Sequence, residues 1–147
     1  MKELGSGIKY RIAVDVAKNR LYTWFKGDLL ADRDGLGLLE NTRKACALLK
    51  PGFTSLTDFT EVTLLGLPDL MKTAQGILAT SGVSKSATVW GDQLFAKRVV
   101  DAQAQKVKEG SFSDKRRAFQ SRAEAEAWLD ERSLSDGLRR SSALNDG

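Results

Sequence analysis

The chain has 147 residues, 41% hydrophobic and 29% charged, with a net charge of +4, one cysteine and no histidine. That length suits one soluble domain burying roughly 70% of its extended-chain surface. The missing histidine removes the commonest general base and the commonest transition-metal ligand. A single Cys46 excludes an intrachain disulfide and, without histidine, a structural zinc site.

Residues 1–7 are expected to be a flexible leader, without the apolar core of a secretory signal. From Tyr10 to Ala17 apolar and polar residues alternate, which predicts a half-buried strand. Lys18-Asn19 makes a tight turn, and Leu21 to Lys26 is the return strand, ended by Gly27. From Asp34 to Leu49 the period becomes helical, through Leu39, Thr42, Cys46 and Leu49. Cys46 on that stripe reads as a small core residue and not as a reactive thiol.

Pro51-Gly52 stops the helix, and a strand follows from Phe53 to Asp58. Thr60 to Gly66 reads as a loop. Leu67, Leu70, Met71, Ala74, Ile77 and Leu78 then draw a helical stripe, with Pro68 in its first turn and Gly82 past its end. A strand is expected over Ser84 to Gly91 and a helix from Gln93 to Lys108. Lys115 to Phe119 reads as a charged edge strand. Ser121 and Glu124 form a capping box for a last helix that buries Ala125, Trp128 and Leu129. Residues 8–132 are thus one α/β domain: an antiparallel hairpin, then parallel strands joined by right-handed helical crossovers. Residues 133–147 lose all periodicity and are expected to be a disordered tail.

Ligands of open α/β sheets bind beyond the carboxyl ends of the strands. That rule points to Asp58 and the turn after it, with Thr60, Glu61 and Thr63 as ligand-binding candidates. The plainer reading is that Asp58 is structural, its carboxylate accepting backbone amides where strand becomes turn. Asp58, Glu61 and Asp69 form a weak case for paired-carboxylate chemistry, so no catalytic residue is assigned. Gly66-Leu67-Pro68 lacks the repeated glycines of a phosphate loop. Trp24, Trp90 and Trp128 read as core, and no base-stacking set points to nucleic acid. No metal site or cofactor is implied.

Phe25-Lys26-Gly27 after the hairpin, Lys50-Pro51-Gly52-Phe53 leading to Leu56-Thr57-Asp58, and Phe119 with Glu124-Ala125-Glu126-Ala127-Trp128-Leu129 together resemble the SpoIIAA-like family, bacterial relatives of STAS domains. The resemblance spans about residues 9–130. It implies a small α/β domain without catalytic activity that binds a partner protein or a small ligand, an anion or a lipid. It also implies kinship with CRAL-TRIO lipid-binding domains, which makes a lipid- or membrane-associating module the alternative; an enzyme using the strand-end carboxylates ranks third. In signalling members a phosphorylatable serine follows the strand's aspartate. Here Phe59 and Thr60 follow Asp58 and no serine stands before the helix, so no phosphorylation site carries over. The basic residues 97–117 make no continuous cationic face and no lipidation motif accompanies them, so a cytoplasmic protein without stable membrane attachment is expected. Homo-oligomers are compatible with all of this.

Overall fold

The computed structural model describes residues 1–6, 9–90 and 115–131. They form a six-stranded mixed sheet in the order β1-β2-β3-β4-β5-β6. The strands are β1 (Lys2–Ser6), β2 (Tyr10–Asp15), β3 (Arg20–Leu29), β4 (Thr54–Leu65), β5 (Lys85–Val89) and β6 (Arg116–Phe119). β1, β2 and β3 pair antiparallel, and β3 through β6 pair parallel. The helices are α1 (Leu38–Ala47), α2 (Pro68–Thr80) and α3 over 122–131, with a 3-10 turn at Asp32–Gly35 before α1. The expected fold class is therefore the observed one. The helix expected from Gln93 to Lys108 and the tail 133–147 lie outside the described residues.

Four local expectations need correction. The expected leader supplies β1 instead: Lys2 pairs with Val14 and Ser6 with Arg11, while Leu4 packs against the core. β3 does not end at Gly27. That glycine has φ +71° and lies within a ten-residue strand, facing a bulge of β4, since β3 advances one residue there while β4 advances two. The stretch from Thr60 to Gly66 is not a loop through Leu65; β4 is twelve residues long and keeps pairing with β3 after β5 has ended opposite Asp58. The helix expected from Asp34 to Leu49 is divided, because Gly37 at φ +82° separates the 3-10 turn from α1.

Asn19 holds the turn between β2 and β3. Its φ of 52° is the left-handed conformation that asparagine tolerates. Its side chain accepts the Lys50 N–H at 2.8 Å and donates to the Lys50 carbonyl at 3.1 Å. Its carbonyl accepts the Thr54 N–H at 3.1 Å, where β4 begins.

Strand alternation divides the core in two. On one face α1 and α2 pack over Ile12, Val14, Leu21, Phe25, Phe59 and Trp90. On the other, Ala125 and Leu129 of α3 pack over Tyr22, Leu56, Ala87 and Val89, all at most 1% exposed. α3 opens as expected, with the Ser121 hydroxyl accepting the Glu124 N–H at 3.2 Å. Trp128, expected to be buried, is half-buried against Phe119 at the helix margin.

Candidate functional site

The four ligand-binding candidates, Asp58, Thr60, Glu61 and Thr63, do not converge on one cavity. Asp58 is buried in the cross-strand row Trp24–Asp58–Val89–Phe119 on the α3 face. Its Oδ1 accepts the Thr60 N–H at 2.8 Å and the Thr60 hydroxyl at 2.6 Å, which closes the bulge around Phe59. Glu61 is exposed opposite Lys26, and the Thr63 hydroxyl donates to the Asp28 carboxylate. Asp69 is exposed in the first turn of α2. Among the described residues no cluster of three potential metal ligands forms, and no helix is long and apolar enough to cross a membrane.

A cavity of about 320 Å³ opens elsewhere, on the α1/α2 face. Its floor consists of two cross-strand rows fixed by register. One runs Leu21–Ser55–Ser86–Arg116 and the next Thr23–Thr57–Thr88–Ala118. Thr23, Thr57, Ser86 and Thr88 line the cavity directly, an unusual share of hydroxyls for a face that meets helices. The buried Ser55 hydroxyl, in the first row, has no hydrogen-bond partner among the described residues. One end is bounded by aromatic rings in series: Phe25 stacks on Phe59 at 5.2 Å, and Phe59 on Trp90 at 4.5 Å between centroids. Phe25 and Phe59 belong to the lining, and Leu38, Met71, Leu78 and Val83 complete the apolar wall.

The walls remain apart because α2 covers the sheet incompletely. Met71 is buried in its first turn, whereas Ala74, Ile77 and Leu78 of the same stripe stay half-exposed. Charge at the cavity is of one sign. Lys72, Lys115 and Arg116 contribute to the lining, and no described carboxylate does. Arg116 is half-buried, and burial alone pushes its guanidinium below the ordinary value. The connection between β5 and β6 lies outside the described residues; both strands it joins line the cavity.

The opposite face treats a cation differently. Arg20 is 2% exposed beneath α3. Its Nε donates to the Thr54 hydroxyl at 2.8 Å, one Nη donates to Asp130 at 2.8 Å, and the other lies 3.4 Å from Glu126. Glu126 also accepts the Tyr22 hydroxyl at 2.7 Å. Burial opposes the charge on Arg20, but the bond to Asp130 and the attraction of Glu126 hold its guanidinium above the ordinary value. This cluster lies at the amino ends of β3 and β4, away from the strand ends where such sheets bind ligands, and it clamps α3 to the sheet.

Sequence reasoning missed the cavity because threonines in strands are ordinary β-formers. Only the register across four strands brings their hydroxyls into adjacent rows. The available signal was the even spacing of Thr23, Thr57 and Thr88 within their own strands, each on the side of the apolar neighbours that contact α1 and α2.

The chain is similar to a solved structure, that of an uncharacterized protein of the DUF3478 family with a SpoIIAA-like fold, from Shewanella loihica PV-4. The two share a TM-score of 0.57 and 20% sequence identity over 85% of this chain and 98% of that one. At that identity the likeness establishes the fold alone. No family model matches the chain, and no curated protein matches it.

Proposed function

We propose that this domain of SpoIIAA-like fold is a non-enzymatic binding module that takes a small amphiphilic molecule between its sheet and α1/α2. The observation that carries the reading is the cavity: about 320 Å³, with apolar walls and a hydroxyl-bearing floor. Ligand sites of folded proteins span roughly 300–1,000 Å³ and combine apolar walls with a few placed polar groups. Thr23, Thr57 and Thr88 supply both, offering a methyl and a hydroxyl to the same occupant. The charged groups among the described lining residues are all cations, which supports binding over acid–base catalysis.

Native mass spectrometry of freshly purified protein tests this. A co-purified small molecule is expected on the parent. Ala74→Trp, which places an indole in the cavity from the half-exposed side of α2, should remove it while the melting temperature stays within a few degrees. A parent that carries no adduct and shows no thermal shift with dodecanol or dodecanoate would refute the reading.

A second reading has its own observation. On the α3 face, half-buried Trp24 lies against the guanidinium of Arg11 at 4.1 Å and that of Arg122 at 5.5 Å. Tryptophan and arginine are the side chains most enriched at protein–protein hot spots. A partner protein would therefore engage this face, leaving the cavity to its ligand. Trp24→Ala should then weaken partner capture without changing the adduct.

A further inference from the structure

Resting on the reading of the cavity as a ligand site, we propose that its occupant is an anionic amphiphile, a single apolar chain ending in a carboxylate or phosphate held by Arg116. The apolar chain lies toward Phe25 and Phe59. The head group lies at the β6 end of the floor, where Arg116 terminates the row that begins at Leu21.

The argument rests on the two arginines. A guanidinium removed from water is costly unless charge and hydrogen bonds replace its hydration. At Arg20 the molecule supplies these through Thr54, Asp130 and Glu126. At Arg116, desolvated on the other face, no described residue does so, and the other described charges in the cavity lining, Lys72 and Lys115, are also cations. An anionic head group meets the need. Its two oxygens match the fork of a guanidinium, and such charge-assisted pairs are roughly twice as strong as neutral hydrogen bonds. A neutral head group would leave the cation uncompensated.

Titrating the full chain with dodecanoate, dodecyl phosphate and dodecanol by calorimetry tests the proposal. The three ligands share one chain and differ in head group. Both anions are expected to bind at least about tenfold more tightly than the alcohol, and the tighter anion identifies a free fatty acid or a monoacyl phosphate as the natural class. Arg116→Gln should bring the anions to the affinity of dodecanol and leave dodecanol unchanged; Lys72→Gln should produce a smaller loss. Equal binding of all three by the parent overturns the head-group assignment and leaves the cavity reading intact. Binding of none overturns both. If Arg116→Gln lowers the melting temperature without altering the preference among ligands, the guanidinium is paired within the chain and the proposal fails.

Discussion

The two faces of this sheet are built from neighbouring residues of the same strands and reach opposite results. Under α3 the rows Tyr22–Leu56–Ala87 and Trp24–Asp58–Val89 are covered by one helix, which the ion pairs of buried Arg20 hold in place. Under α1 and α2 the intervening rows carry hydroxyls and leave a cavity. Interiors are close-packed, and voids larger than a water molecule are few. One face of the sheet thus departs from that rule where the other follows it. The α3 face is closed by side chains of the chain itself, whereas the α1/α2 face combines the larger buried core with an open cavity.

Adjacent substitutions test that contrast most strongly. Leu56→Ala deletes a fully buried side chain beneath α3 and should destabilise the protein by about 3 kcal/mol in urea unfolding. Thr57→Val, one residue along and facing the cavity, removes a hydroxyl that bonds to no described side chain. It should shift stability by less than about 1 kcal/mol. If both cost the same, the faces are energetically alike and the contrast disappears.

Arg20→Met keeps most of the apolar stem but strips Glu126 and Asp130 of their cation. Asp130 is 59% exposed and Glu126 22%, so solvent compensates in part and the expected loss is about 2 kcal/mol. High salt should reduce that loss only weakly, since Arg20 itself is shielded from solvent. Asp58→Ala should cost about 1 kcal/mol, the value of a lost turn-capping side chain, with ligand affinity unchanged. Unchanged melting with lost ligand binding would instead move the site to the strand end.

The smallest effect concerns the turn that delivers α1 to the open face. Asp34 accepts the Ala31 and Leu30 amides and pairs with Lys9 at 3.2 Å, so its carboxyl titrates below the usual range. Because the folded pKa is depressed, this contribution is present above the ordinary carboxylate range and is lost as pH falls through the folded value. Asp34→Asn should flatten that part of the acid limb of the stability–pH curve and leave the rest unchanged.

Much of this architecture was legible in the sequence. The hairpin, the α2 stripe with Pro68 and Gly82, the edge strand and the capping of α3 each rest on one local rule. The errors gather where bulges break the two-residue period. Phe59 and Val62, three apart, are both buried on the α1/α2 face, so alternation fails across Thr60 and the strand reads as a loop. Gly27 reads as a stop because a glycine that ends a strand and one inside it, here facing a bulge of β4, look alike in sequence. β1 is short, polar and interrupted by Gly5, whose absent side chain makes room for Asn41 of α1. The cavity was illegible for a different reason: it depends on cross-strand register, a relation between segments that no window of sequence contains.

Asn19 carries a consequence for the time course of folding. Pairing β3 with β4 in parallel requires closing a loop of some thirty residues before any ladder bond forms, and such non-local steps slow folding. The Asn19 amide grips Lys50 at the start of that register, where closure must begin. Asn19→Gly keeps the left-handed turn and removes only the grip. Stopped-flow kinetics should then show slower refolding with an almost unchanged unfolding rate, the signature of a contact already made in the transition state. The asparagine would thus govern how quickly the parallel half of the sheet assembles, and have little influence on how long it lasts.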